Sequence, residues 1–463
     1  MPGTKVDKTY YFERARVPRA VLSLAIPAVL SQIITLIYNM TDTFMVGQLG
    51  DPDQVAAVSL AAPLTLALTA LANLFGIGAA STASRFMGAK QYDSVKRATA
   101  FGFYAALALG AAISLLVLFF TDFFLGMLGS MGGTRPYTSQ YLLWAVAAGG
   151  APSLLSMVMA HFIRADGAPK TASIGLSVGG LINLAIDPFL IFGFGFGMGV
   201  AGAALGTFIS NIFTLVFFLR YFYVNRQTAI VSLNPRWFTV KRDIAGQVLI
   251  TGLPGMMQTL LASVSNTMLN QVAKGYGSKL LAALGIVKKI NQIPMSVTIG
   301  ISQGVMPLLG FNYAAKNSRR MRDAVKFSLM LAIGFSVLCA AAFEIFTHSF
   351  VSLFIQEADT VAYGVTFLHI MCVATPLMAV GYLMITLFQA AGESRPALLL
   401  SVLRKGLVDI PLMFLLNWAL PLTGLAFVHP GTELAAMLVS VMLYIRFTRK
   451  VSGNSSRGAG DEL

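Results

Sequence analysis

Apolar runs of twenty or so residues alternate with short polar stretches along almost the whole chain. Runs long enough to cross a bilayer, about 20 residues each, fall near 20–48, 55–82, 97–120, 138–163, 171–192, 200–223, 244–272, 281–309, 325–347, 361–389, 397–419 and 425–447. Lipid offers no hydrogen bonds, so each run must close its backbone within a helix, and the pattern predicts about twelve transmembrane helices. Composition agrees. The 463 residues are 56% hydrophobic and 11% charged, against about a quarter charged in a soluble domain. The expected fold class is an all-α polytopic membrane protein.

The polar, basic opening Met1–Arg19 runs into an apolar stretch far longer than the core of a cleaved signal, so it is expected to be a retained cytoplasmic tail. The ending GDEL resembles an ER-retention signal but has Gly460 where Lys or His is needed, and is discounted. Basic residues set the orientation. Of 33 Lys and Arg, only Arg135, Lys274 and Lys279 fall in outer segments and Lys288, Lys289, Arg404 and Lys405 within spans; the rest cluster on the other side, as in Arg85–Arg97 and Arg226–Arg242. This asymmetry predicts both termini in the cytoplasm. It also accounts for the +14 net charge as a topology signal beside anionic lipid, with no nucleic-acid partner expected. Cys339 and Cys372 sit in apolar runs, as small hydrophobes rather than a disulfide framework.

Three local matches recur at nearly one offset. LAIPAVLSQIITLIYN (Leu24–Asn39) matches TGLPGMMQTLLASVSN (Thr251–Asn266), pairing Pro27 with Pro254 and Asn39 with Asn266. FIRADGAPKTAS (Phe162–Ser173) matches LFQAAGESRPAL (Leu387–Leu398), pairing Gly167 with Gly392. GVAGAALGTFIS (Gly199–Ser210) matches GLAFVHPGTELA (Gly424–Ala435). Three matches in order at one spacing indicate an internal repeat. The predicted organisation is an N-terminal six-helix lobe at 1–224, a cytoplasmic linker at 225–243, a C-terminal six-helix lobe at 244–448 and a polar tail at 449–463. An even number of spans per lobe implies a pseudo-twofold along the membrane normal, an arrangement common in secondary transporters.

Few acids lie within spans: Asp42, Asp187 and Asp409, with Glu433 near the outer end of the last helix. A carboxylate at a helix centre costs at least roughly 2.5 kcal/mol on insertion scales, so each needs a partner or a purpose. Asn183 and Asp187 stand one turn apart on one helix face. Pro188 frees the carbonyl of Leu184 beside them, making an acceptor-rich patch suited to a proton or a small hard cation. If Asp42 faced Asp187, burial and mutual repulsion would let the two acids exchange a proton; the alternative is that each merely specifies helix packing. Arg404 and Asp409 share a helix and could neutralise each other or nearby partners, a structural role being expected. Gln258, Asn266, Asn270, Gln292 and Gln303 could line a substrate cavity or hydrogen bond between helices. His161, at the inner end of the fourth span, could titrate or rest at the interface. The 22 Met and 33 Phe suit a plastic apolar cavity but also fill membrane helices generally.

GFGFGMG (Gly193–Gly199) has no preceding strand and no phosphate-binding Lys, so it is expected to be a tight hairpin between the fifth and sixth spans. No Walker sequence, metal-ligand spacing or nucleophile–base spacing occurs. That argues against an ATP-driven pump and against an enzyme, and no cofactor is expected.

NMTDTFMVGQLG (Asn39–Gly50), IRADGAPKTA (Ile163–Ala172), GLINLAIDPFLIFG (Gly180–Gly193), GVAGAALGT (Gly199–Thr207), GISQGVMPLLGFN (Gly300–Asn312) and LFQAAGESRPA (Leu387–Ala397) resemble the multidrug and toxic compound extrusion (MATE) family. RADG-x-PK is similar to its bacterial MepA-like branch. The resemblance spans both halves and implies two six-helix bundles and export of cationic or amphipathic drugs in exchange for protons or sodium ions. It carries a cation-coupling site onto Asp42, Asn183, Asp187, Ala203 and Thr207, with Tyr38 one turn before Asp42, and a sodium ion at Asp42, Asn183, Asp187 and Thr207 stays open. His161 stands where relatives often have Asn. The sodium-coupled branch uses carboxylates in helices 7 and 10, and neither Thr251–Ala273 nor Tyr363–Ala391 contains an acid, which turns attention to Asp42 and Asp187. The expectation is a monomeric antiporter of the bacterial inner membrane, with drug-like cations, protons or sodium ions and lipid as partners; the rival is a flippase or exporter of a lipid-linked or amphipathic metabolite.

Overall fold

A computed structural model describes residues 9–458, with side chains through Val451. The first residues of the amino-terminal tail, most of the polar carboxy-terminal tail's side chains and the GDEL ending lie outside the described residues. The described chain is helical, with no strand. The helices used below are α1 (Val17–Gly47), α2 (Pro52–Gly88), α3 (Tyr92–Phe119), α4 (Gly150–Ala165), α5 (Pro169–Ile191), α6 (Val200–Val224), α7 (Arg242–Lys274), α8 (Ser278–Ala314), α9 (Ser318–Ile345), α10 (Ala374–Ala391), α11 (Asp409–Ala419) and α12 (Gly424–Gly458).

Among the described residues ten helices are long and apolar enough to cross a membrane; α4 with the helical run Thr134–Ala148 before it, bent by 46°, makes an eleventh. The bend falls at a π-helical turn, Leu143–Ala148, where the widened ladder releases a carbonyl and Ser114 Oγ donates to Val146 O at 3.0 Å. One further helical run, Ser394–Ala419, is split by a second π turn at Leu403–Leu407. Arg404, Lys405 and Asp409 make it less apolar than the others, and with it the twelve apolar runs of the sequence are all helical.

The connections are built from local chemistry. Pro52 opens α2 at a position that needs no amide donor, and Asp51 caps it by accepting from the Asp53 N–H at 2.9 Å. GFGFGMG is a tight turn: Phe196 N–H donates back to Phe189 O at 2.8 Å and Met198 N–H to Leu190 O at 2.9 Å. Gly199, at φ +55°, then brings the Val200 N–H to Gln54 Oε1 at 2.9 Å. At the other end of α5, Asp166 is wholly buried and holds the segment after α6. It accepts from the Tyr221 hydroxyl at 2.5 Å and from the Ile230 and Val231 amides at 2.6 and 3.3 Å.

The chain forms two compact units whose make-up departs from simple sequence order. One gathers mainly Leu30–Thr259; the other gathers Tyr11–Val29 with the chain from Leu260 onward. In the first, the early part of α7 lies against α2 at glycine-to-backbone distance: a Cβ on Gly78 would meet Val248 O at 2.2 Å and one on Gly252 would meet Leu74 O at 1.8 Å. Arg85 reaches the Thr251 hydroxyl at 3.2 Å and Asn73 the Thr259 hydroxyl at 2.9 Å. In the second, the early part of α1 packs on α8 in the same manner, with Gly300 against Val29 and Gly304 against Leu24. The main chain before α1 is tied down there too, since Arg320 Nε and Asn312 Nδ2 donate to Phe12 O at 2.8 and 3.1 Å. Pro27 and Pro254, paired by the repeat, interrupt α1 and α7 just before each helix passes from one unit to the other.

Candidate functional site

The acceptor-rich patch predicted on α5 exists as a formed pair. Asn183 and Asp187 are each 1% exposed, and Asn183 Nδ2 donates to Asp187 Oδ1 at 3.0 Å. The later part of α1 supplies Asp42, and the two carboxylates lie within each other's electrostatic reach. Two oxygens remain unsatisfied: Asp42 Oδ1 and Asn183 Oδ1 are buried with no hydrogen-bond partner among the described residues. Two acids held together with spare lone pairs in low dielectric repel one another until a proton or cation joins them.

Small residues make this approach possible. A Cβ on Gly206 of α6 would lie 2.0 Å from Asp187 Oδ1, and one on Gly180 of α5 would lie 2.9 Å from the Tyr38 ring. Gly206 thus admits the carboxylate against the α6 backbone, and Gly180 seats Tyr38. Tyr38 stands in the field of both acids. So does Tyr141, on the helix Thr134–Leu142 immediately before the π turn. Neither Tyr141 nor the two glycines stood out in the sequence. A phenol inside a bent apolar span and the glycine beside Thr207 were the available signals, and both need the fold to acquire meaning. Ala203 is buried against Val46, Ile191 and Val200, one turn beyond Asp42. Thr207 is half-buried next to Gly206.

The remaining candidates are spread more widely. His161 of α4 is buried with its ring against Gly76 of α2 and Arg164 one turn away. Gln258 is half-buried on α7, while Asn266, Asn270 and Gln292 are exposed on α7 and α8. Of these, Asn270 has a charged partner, accepting from Lys288 Nζ at 3.2 Å.

The second unit holds a different polar cluster. Arg404 is paired with Glu433 of α12 through two hydrogen bonds, Nε to Oε2 at 3.1 Å and Nη2 to Oε1 at 2.7 Å, and its guanidinium lies 4.1 Å from the Tyr382 ring centroid. Asp409 is served by hydroxyls, accepting from Ser265 and, at 3.0 Å, from Thr432. Of the partners open to Arg404 and Asp409 in the sequence, the structure selects these and not each other.

The chain matches the MatE family over residues 27–189 and again over 254–415, so the two matches begin at the paired prolines. It is 33% identical over 449 residues, 96% of this chain and 98% of the relative, to the multidrug export protein MepA of Staphylococcus aureus (strain MSSA476). A MepA from Staphylococcus saprophyticus is 31% identical over the same shares of the two chains. A solved structure described as the outward-facing conformation of a multidrug resistance MATE family transporter of the MOP superfamily has the same fold. It superposes with a TM-score of 0.90 over 97% of this chain and 100% of that one, at 22% identity.

Proposed function

The chain belongs to the MatE family, with MepA proteins among its relatives, and from that premise we propose that it is a secondary multidrug exporter, driven by protons or sodium ions entering through Asp42, Asn183 and Asp187. The observation that carries this reading is the pair of neighbouring acids with two unsatisfied buried oxygens between α1 and α5. An empty pair is electrostatically expensive, so either a coupling ion or a cationic substrate lowers its energy. An exporter needs these two states to exclude each other: the ion must favour a conformation from which drug leaves.

Protonation or ion binding removes the repulsion between Asp42 and Asp187 and lets the later part of α1 pack closer to α5. Pro27, which removes one backbone hydrogen bond from α1, is the weak point at which that helix can yield. The donor set fits either ion. Two carboxylates accept a proton; together with the Asn183 amide and Thr207 hydroxyl oxygens they also suit a sodium ion. Drug-like cations are the proposed cargo, and Tyr38 and Tyr141 beside the acids offer them π-faces.

The test is efflux of a cationic dye from proteoliposomes under an imposed pH gradient and then under an imposed sodium gradient. Flux driven by one or both supports ion coupling, and the responsive gradient names the ion. Dye movement indifferent to both refutes it.

A further inference from the structure

The cluster in the second unit has two cations that its acids do not pair with directly. Arg404 is committed to Glu433, and both oxygens of Asp409 are taken by the Ser265 and Thr432 hydroxyls. That leaves Lys288 of α8 and Lys405 of the π turn. Both are half-buried, and Lys288 stands in the field of both Lys405 and Asp409. Lys288 is about ten residues into α8, roughly 15 Å from the helix start at 1.5 Å per residue. Among the described residues neither lysine forms a salt bridge, and Lys288 is given one acceptor, Asn270 Oδ1 at 3.2 Å, for three ammonium donors. Arg404 Nη1, next door, is buried with no hydrogen-bond partner.

Cations at membrane depth are costly unless paired and commonly mark a ligand path. Two like-charged lysines that no carboxylate contacts directly supply what an anion needs: charge, several donors and a partly dried surface. We propose that Lys288 and Lys405 form a binding point for the carboxylate of a zwitterionic or anionic amphipathic substrate, with Asn270 orienting Lys288 and the Arg404–Glu433 pair fixing the turn that carries Lys405. The proposal rests on the export reading for its class of ligand and is independent of which residues couple the ion.

The test uses the purified full-length protein at equilibrium, with no gradient, and two fluorescent probes: a rhodamine bearing a free carboxylate and its methyl ester. Lys288→Gln and Lys405→Gln are each expected to weaken the carboxylate dye about tenfold or more, the loss typical of a desolvated charge contact, while the ester changes by less than about twofold. Lys288→Arg should retain the preference. Unchanged ester binding reports an intact fold, and the absence of any gradient separates this site from coupling. Equal losses for both dyes, or none for either, overturn the proposal. So does a wild type that shows no preference for the carboxylate but binds phosphatidylglycerol through Lys288, which assigns the pair to a lipid headgroup.

Discussion

Asn183 donates one N–H to Asp187 Oδ1 at 3.0 Å across a single turn of α5, and its own carbonyl oxygen faces no donor. The amide therefore orients the carboxylate without satisfying the site. It restrains one lone pair of Asp187 and adds a free acceptor beside Asp42. A structural amide would be expected to use both ends; one that uses half supports a site made for a guest.

Gly206 is where this arrangement is most easily disturbed without altering charge. A methyl at Gly206 would sit 2.0 Å from Asp187 Oδ1, so Gly206→Ala must displace the carboxylate from Asn183. Overpacking of this kind costs about 1–3 kcal/mol. The expected outcome is a modest fall in melting temperature with a disproportionate loss of gradient-driven efflux, measured on the same preparation.

Asp166 carries a separate prediction about stability. Its carboxylate receives the Tyr221 hydroxyl of α6 and the Ile230 and Val231 amides of the chain after it, and Asp166→Ala would remove all three bonds. The cost should be about 3 kcal/mol. Thermal unfolding in detergent, together with faster proteolysis within 225–240, checks it; equilibrium dye binding should survive.

Arg404 and Glu433 should obey the rule for buried ion pairs. Removing one partner, as in Arg404→Met, strands the other charge and should destabilise by about 3–5 kcal/mol, whereas the double change Arg404→Met with Glu433→Leu should recover most of that loss. Melting temperatures of the single and double variants decide it.

Asp51, in the exposed connection between α1 and α2, gives a pH signature. The Asp53 N–H and the Gln54 side chain hold its carboxyl below the usual aspartate range. A lowered folded-state value means that its stabilising contribution is present in full above the ordinary aspartate value of about 4. The contribution fades as pH falls from there through the lowered value. The gap in melting temperature between wild type and Asp51→Ala should therefore be steady near neutrality and close in acid.

How much the sequence disclosed follows from the range of each interaction. Bilayer crossing is set by local hydropathy, so every apolar run is helical, although three are broken along their length: before α4, between Cys372 and Ala374, and at the π turn within Ser394–Ala419. Asn183 and Asp187 share a turn, and their pairing follows from spacing alone. The approach of Asp42 to Asp187 is conditional in the sequence, because nothing local says which way α1 faces. Glu433 as the partner of Arg404 stands 29 residues away, on another helix, and the hydroxyls that serve Asp409 come from α7 and α12. Asp166 lies in the RADG motif, yet its role depends on a segment some 65 residues later folding back over it. Pairings across helices are fixed by packing, and a single sequence does not encode packing in any short window.

The central claim is that Asp42 and Asp187 convert an ion gradient into drug export. The most direct measurement compares wild type with Asp187→Asn in proteoliposomes by two assays: dye exchange at equilibrium without a gradient, and dye accumulation driven by an imposed proton or sodium gradient. Exchange that persists while gradient-driven accumulation is abolished is the predicted result; undiminished accumulation in the variant would contradict the account.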